Sequence, residues 1–201
     1  MPQEHYFSAN PQTDAVLREI NFELAGHVFT VTAAAGTFSA SRLDPGTAIL
    51  LSKYAEFPTE GNVLDLGCGW GPISLSIAKL SPLTTLWALD VNHRSLELAA
   101  ENAQRLGLSN IKPVTAIEIE PNMEFDAIWS NPPIRIGKQA LHELLRTWLP
   151  RLASGGRAML VVQKQLGADS LLSWIQDSFP FLTASRFSTD KGFRVLEVTR
   201  D

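Results

Sequence analysis

The sequence predicts an α/β fold: a doubly wound, mostly parallel sheet of seven strands with an antiparallel C-terminal strand, preceded by a small N-terminal hairpin and helix. Three observations predict it. From Gly61 onward, apolar runs alternate with segments of helical periodicity, which is the pattern of a parallel sheet covered on both faces. Val63-Leu-Asp-Leu66 runs through Gly67-Cys68-Gly69-Trp70-Gly71 into Ile73, Leu75, Ile77, Ala78 and Leu80, a strand, a tight glycine turn and a helix. The chain closes with two apolar runs, near Phe181 to Phe187 and Phe193 to Thr199, flanking Thr189-Asp-Lys-Gly192, a turn that makes an antiparallel hairpin.

In order, residues 1–60 read as an N-terminal extension and residues 61–201 as the core of one domain, 1–201. Ile20-Asn-Phe-Glu-Leu24 and His27-Val-Phe-Thr-Val31 alternate apolar and polar around Ala25-Gly26, a short hairpin. Asp44 before Pro45 is an N-cap and first-turn pair, placing a helix from Pro45 to Ala55. After the glycine turn, Leu86 to Leu89 forms the second core strand, and Asn92 caps a helix from His93 to Leu106 that Gly107 closes. Ile111 to Thr115 and Phe125 to Ser130 are the third and fourth core strands. Leu141, Leu144, Leu145, Trp148 and Leu149 give a helix from Gln139 to Leu152, ended by Ser154-Gly155-Gly156. Ala158 to Val162 is continuously apolar, hence a buried central strand, and a helix around Ser170 to Asp177 precedes the final hairpin.

Composition excludes several classes of function. No apolar run approaches a membrane span, and Met1-Pro-Gln-Glu-His-Tyr lacks a basic region leading into an apolar one, so a cytoplasmic protein without membrane contact is expected. One cysteine, Cys68, excludes an intramolecular disulfide, and four dispersed histidines, His5 and His142 among them, read as surface positions rather than metal ligands. The net charge of −4 argues against a generic nucleic-acid binder, but its distribution is uneven. Residues 134–201 carry 10 basic and 6 acidic side chains, a surplus that falls in the last third. Most of that surplus reads as a solvated face, whereas Arg135 and Lys138, directly after Asn131-Pro-Pro, are placed to meet a phosphate.

The glycine turn narrows the ligand. Dinucleotide loops space their glycines G-x-G-x-x-G, while this chain has G-x-G-x-G with Asp65 just before it, a carboxylate that repels a pyrophosphate and attracts a cationic amino-acid end. Asp90 ends the next strand, where a carboxylate accepts the two hydroxyls of a ribose, and Val91 follows it. Cys68 reads as a small residue lining the ligand rather than a nucleophile, and Trp70 and Trp87 as core. The fourth core strand stops at Asn131-Pro132-Pro133-Ile134, since proline has no N–H to continue a ladder. There the Asn131 amide oxygen and the Pro132 carbonyl form a rigid pair of acceptors suited to gripping an –NH2 group, with its lone pair aimed at an electrophile.

An acid-tipped glycine loop with an Asn-Pro-Pro strand tip resembles the S-adenosylmethionine-dependent methyltransferases of planar exocyclic or amide nitrogens. Over the whole chain, His5-Tyr-Phe-Ser8, Gly36-Thr-Phe-Ser39, Arg42-Leu-Asp44-x-Gly46-Thr47, the glycine loop and Asn131-Pro-Pro-Ile-Arg-Ile-Gly-Lys138 look like short relatives of the small-subunit ribosomal RNA guanine-N2 methyltransferases. The resemblance implies the Rossmann-like class I methyltransferase fold with S-adenosyl-L-methionine as cofactor. It implies that Asp65, Gly67, Cys68, Gly69 and Gly71 hold the methionine portion, that Asp90 and Val91 hold the ribose end, and that Asn131, Pro132, Pro133 and Ile134 hold the target amine beside the methyl, Asn131 also touching the cofactor. The implied substrate is a guanine amine of ribosomal RNA, met through Arg135 and Lys138. Where ribosomal members of the family carry a stacking aromatic after Asn-Pro-Pro, this chain has Ile134, and no polar residue at Thr115 to Glu118 stands out to read an adenine. A protein glutamine amide or a small-molecule nitrogen is the alternative substrate, and a non-catalytic binding protein is the third possibility. Phe38-Ser39 either anchors the hairpin or covers the cofactor; the sequence does not choose.

Overall fold

The computed structural model describes residues 16–201, so the expectations for His5-Tyr-Phe-Ser8 lie outside the described residues. The strands are β1 (Leu17–Leu24), β2 (His27–Ala34), β3 (Glu60–Leu66), β4 (Leu83–Leu89), β5 (Ile111–Val114), β6 (Phe125–Ser130), β7 (Leu152–Gln163), β8 (Thr183–Asp190) and β9 (Phe193–Thr199). The helices are α1 (Pro45–Leu51), α2 (Pro72–Leu80), α3 (His93–Arg105), α4 (Lys138–Trp148) and α5 (Ala168–Ser178). Seven strands form one sheet in the order β5-β4-β3-β6-β7-β9-β8, in which β9 alone runs against the others. Strands β1 and β2 pair separately as an antiparallel hairpin, closed by Ala25 and Gly26 at φ 49° and 78°, the geometry a two-residue hairpin turn requires. The predicted sheet, its reversed strand and the N-terminal hairpin are all present.

Side-chain alternation explains the layers. Val63, Leu86, Ala127, Trp129, Met159, Val161 and Val195 share one core with β2, α1, α2 and α3. Their strand neighbours Leu64, Leu66, Leu89, Ile128, Leu160, Val162 and Leu196 share the other with α4 and α5. The period of two along each strand sends successive residues to opposite faces, so a strand buried on both sides must be apolar throughout. Strand order turns around between β3 and β6, with β4 and β7 outside them. The connections from these two strands cover opposite faces, leaving a crevice at their C-terminal ends.

Several boundaries differ from those the sequence predicts. Helix α1 stops at Leu51, where the Ser52 N–H turns back to the Ala48 carbonyl and the Lys53 N–H to the Leu50 carbonyl, and Tyr54–Glu56 forms a separate 3-10 turn. Helix α4 ends at Trp148, because Pro150 lacks the N–H a further turn would need, and 149–151 forms a 3-10 turn instead. Ser154-Gly155-Gly156 does not end that helix: it lies inside β7, where the pairing slips from Phe125↔Leu152 to Ala127↔Arg157 and Gly155 takes φ 75°. The last turn is Lys191-Gly192 alone, at φ 44° and 83°, so β8 runs on to Asp190. His142 is not a surface residue either. It is buried and stacks on Trp174 with ring centroids 3.6 Å apart, and burial lowers its pKa.

Besides its apolar contacts, the N-terminal hairpin is tied to the core by the Asn102 side chain. Asn102, on α3 and 1% exposed, accepts from the Thr32 N–H (2.7 Å) and donates to the Thr32 and Trp70 carbonyls (2.8 and 3.0 Å). Asn102→Ala would strand these backbone groups and should cost about 2–4 kcal/mol in chemical unfolding. A loss below about 0.5 kcal/mol would mean that apolar contacts alone hold the hairpin, the amide adding less than a typical net hydrogen bond.

Candidate active site

The crevice over β3 and β6 is a cleft of about 450 Å³. Gly67, Leu89, Asp90, Val91, Ser95 and Ala116 line one part of it; Asp44, Asn131, Pro132, Pro133, Ile134 and Arg135 also lie in its wall. Most of the residues the sequence singles out therefore meet in one place.

The glycine turn is built to leave room. The N–H groups of Gly67 and Cys68 both donate to the Leu89 carbonyl (2.9 Å each), which fixes the turn against the end of β4. Gly67 and Gly69 have φ 80° and 56°; an added Cβ would meet only Pro133 Cδ, at 4.0 Å, from Gly67 and nothing within 4 Å from Gly69. Gly71 serves a different purpose. A Cβ there would lie 3.3 Å from that of Ala99, so this glycine allows α2 to approach α3 and is not part of the cleft wall. Cys68 and Gly69 border a small adjoining cavity of about 10 Å³ with Trp70, Pro72 and Thr47. Burial, followed by the charges of Asp90 and Asp65, pushes the Cys68 thiol well above its usual range, the opposite of the shift that activates a nucleophile.

The two acids are placed differently from one another. Asp65 is fully buried behind the turn and is absent from the cleft wall, so it is not the open, direct ligand the sequence predicts. Its Oδ2 accepts from the Ser74 N–H and hydroxyl (2.9 and 2.6 Å), in the first turn of α2, while Oδ1 has no hydrogen-bond partner among the described residues. Burial raises its pKa to about 7, with the Ser74 hydrogen bonds pulling the other way. Asp90 does line the cleft. It also braces the site, its Oδ2 accepting from Gly69 N–H and its Oδ1 from Asn92 N–H, both at 2.9 Å. Burial raises its pKa as well. The Val91 N–H bonds the same carboxylate, whose acceptor capacity exceeds these three bonds.

At the β6 tip, Asn131 donates through Nδ2 to Asp44 Oδ1 (2.8 Å) and Thr47 Oγ1 (3.0 Å). A carboxylate only accepts, so this contact decides which way round the amide sits and leaves Oδ1 as its open acceptor. Asp44 also caps α1, accepting from Thr47 N–H at 3.0 Å. The sequence shows only that cap, because the partner lies 87 residues away. The Pro132 carbonyl is not the free acceptor expected: it takes the Ile134 N–H at 2.8 Å. With Pro133 at φ −75° and ψ 72°, this is an inverse γ-turn, which turns the chain into the 3-10 turn over 134–136. One lone pair of that carbonyl remains.

Ile134 and Arg135 line the cleft, but Lys138 does not; it is exposed at the start of α4. Among the other basic residues of this region, Arg151 donates to the Met123 and Glu120 carbonyls and Arg157 pairs with Glu56 and Glu197, so these are structural. Phe38 and Ser39 lie in the cleft wall, and the Ser39 carbonyl at the same time accepts from the Trp70 indole N–H (3.3 Å), so this segment is anchored on the glycine turn and also faces the cleft. Sequence reading missed Ser95, Leu144, Trp148, Gln163, Leu166 and Phe193. Nothing local marks them, since they reach the cleft from five other elements: α3, α4, β7, the 3-10 turn over 164–166 and β9. Among the described residues no group of three or more His, Cys, Asp or Glu could hold a metal ion, and no helix is long and apolar enough to cross a membrane.

The methyltransferase small domain family matches residues 28–197, which contain the glycine turn, Asp90 and Asn131-Pro-Pro. The chain belongs to that family. It is 32% identical over 200 residues to Bacillus subtilis (strain 168) "Uncharacterized protein YbxB", covering 98% of both chains. It is 30% identical over 194 residues to the Acinetobacter baumannii (strain AYE) "Ribosomal RNA small subunit methyltransferase C", covering 90% of this chain and 54% of that one. The chain thus spans about half the length of the ribosomal RNA methyltransferases it matches. The T. thermophilus 16S rRNA N2 G1207 methyltransferase, in complex with AdoMet and guanosine, shares the fold with a TM-score of 0.81 at 21% identity, over 95% of this chain and 52% of that one.

Methyltransferases of this family use S-adenosylmethionine, and the residues present fit it. The open faces of Gly67 and Gly69 admit a ligand that any Cβ would obstruct, and the orphaned Asp65 Oδ1 is a buried acceptor without a partner behind the turn.

Asp65 has a consequence for stability. With its folded pKa raised, the folded chain holds a proton that the unfolded chain releases above 3.8, so its contribution is full below that value and lost as pH rises through about 7. Asp65→Asn carries no such titration. Its stability relative to the unsubstituted chain should therefore improve by roughly 2–4 kcal/mol between acid and mildly alkaline pH in urea unfolding. Parallel pH curves for the two proteins would place the titration elsewhere.

Proposed function

We propose that the chain is an S-adenosylmethionine-dependent N-methyltransferase that methylates the exocyclic amine of a guanine in ribosomal RNA. The observation that carries this reading is the locked Asn131 amide, whose free oxygen shares a cleft with the open glycine turn. The likeness to the ribosomal RNA small-subunit methyltransferases supports the substrate class.

In this reading the turn at Gly67 and Gly69 holds the methionine end, braced from behind by Asp65 through Ser74, and Asp90 accepts from the ribose hydroxyls. Asn131 Oδ1 accepts one N–H of the target amine and the remaining Pro132 lone pair accepts the other, so the nitrogen lone pair points back across the cleft. S-adenosylmethionine supplies an electrophilic methyl on a positively charged sulfur, so that the new N–C bond forms as the C–S bond breaks and the sulfur keeps the electron pair. The positive charge would pass from sulfur to the amine nitrogen and leave with the spare amine proton, which goes to solvent. No general base is needed. Arg135, in the cleft wall, and Lys138, exposed at the start of α4, would meet flanking phosphates in this reading.

Tritiated-methyl transfer to small ribosomal subunits, set against transfer to protein extract, tests the substrate. Label in RNA is expected; label in protein alone would favour a glutamine amide, a target that the non-aromatic Ile134 would tolerate. Asn131→Ala should keep cofactor affinity within about twofold and lower kcat by about 100-fold, since it removes positioning rather than cofactor contacts. Asp90→Ala should chiefly weaken the cofactor, measured by calorimetry. The opposite pattern for these two variants would reverse their roles.

A further inference from the structure

A stacking aromatic is missing after Asn-Pro-Pro, yet an aromatic ring reaches the same cleft from the other end of the chain. Phe193 opens β9, directly after the Lys191-Gly192 turn, and lies half-buried in the wall that also contains Asn131 and Pro133. Its position is fixed twice. The Lys164 N–H donates to the Gly192 carbonyl (2.8 Å), tying the hairpin turn to the end of β7, and the ring packs against Gly46. A Cβ on Gly46 would stand 3.0 Å from Phe193 Cε1 and 3.0 Å from Asp44 Oδ1. That glycine does not have a positive φ, so close approach is what it provides. It lets the ring and the carboxylate that orients Asn131 occupy neighbouring positions.

Gln163 is the register partner of Phe193 across β7 and β9 and lines the same cleft. Its side-chain amide makes no hydrogen bond within the described residues, so a donor and an acceptor are both available. Leu166 adds an apolar wall, and Lys164 and Lys191, one beside each of the pair in sequence or in the turn, are exposed and without an ion pair among the described residues.

We infer that Phe193 and Gln163 form the acceptor-base subsite, Phe193 supplying the π face against which a purine lies and Gln163 an amide that pairs with its polar edge, with Lys164 and Lys191 at the rim for the adjoining phosphates. This inference rests on the methyltransferase reading above and sharpens it. A flat heterocycle gains from a ring at that position and from a bidentate amide, whereas an aliphatic glutamine side chain has no face to stack. The aromatic function that a residue after Asn-Pro-Pro would serve thus comes from β9.

The test is steady-state methyl transfer to small ribosomal subunits by the full chain, with cofactor affinity measured on the same preparations. Phe193→Leu should lower kcat/KM by about 5- to 100-fold, the range that loss of base stacking spans, with cofactor affinity unchanged. Phe193→Tyr should restore it to within about twofold, because the ring and not the hydrophobic volume is what counts. Gln163→Leu, similar in size and lacking the amide, should raise KM by about fivefold or more with little effect on kcat. Wild-type kcat/KM in Phe193→Leu, or a Phe193→Tyr as damaged as Phe193→Leu, overturns the subsite while leaving methyl transfer intact. Methylation of protein and not RNA by the unsubstituted chain overturns the underlying reading and the subsite with it. Should Phe193→Leu lose cofactor binding, and so its fold, Gln163→Leu decides alone: unchanged KM overturns the proposal.

Discussion

The hydrogen bond between the Asn131 amide and the Asp44 carboxylate is the constraint on which the rest of the site depends. The terminal torsion of an asparagine is soft and nearly two-fold, so an unconstrained amide would present its nitrogen and its oxygen to the cleft almost equally. Asp44 removes that freedom because an ionised carboxylate has nothing to donate. Thr47 Oγ1 takes the second amide proton, so both donors are turned toward α1. A charge-assisted bond of this kind contributes about 1.5–3 kcal/mol, enough to favour one orientation by more than tenfold. The N-terminal extension is therefore part of the site as well as a cover for one face of the sheet.

The same economy runs through the glycine turn. Asp65 and Asp90 each bind backbone N–H groups, Asp65 at the start of α2 and Asp90 across the turn to Gly69 and Asn92. Burial raises both pKa values, so the two acids act as hydrogen-bond acceptors beside a turn whose backbone stands open. Their lone pairs favour a ligand that brings donors over one that brings phosphate. The cost is a carboxylate oxygen left without a partner in the interior, which a fold built for stability alone would not retain.

How far the site could be read from the sequence follows from the distance over which each residue acts. The strand, turn and helix around Gly67, the tip at Asn131-Pro132-Pro133 and the Asn92 cap are local devices, dictated by residues within one turn of each other, and each stands where the pattern puts it. Boundaries slipped where two local signals competed. The apolar periodicity of α4 ran into Pro150, and Gly155-Gly156 suited a strand irregularity as well as a helix stop. His142 gave no sign that Trp174 would cover it, since the two lie on different helices.

The sequence by itself determined the sheet with its reversed strand, the crevice between the ends of β3 and β6, and the chemical type of the residues there, because hydrophobic period, proline and glycine act on neighbouring backbone. Only the tertiary structure decided what those residues touch. It turned Asp65 inward as a buried brace, spent one lone pair of the Pro132 carbonyl on a γ-turn, and joined Asp44 to Asn131 across 87 residues. It also carried Phe193 and Gln163 to the cleft from strands whose pattern reports only that they are buried. Contacts between distant segments are set by how the layers pack, and no spacing along the chain encodes them.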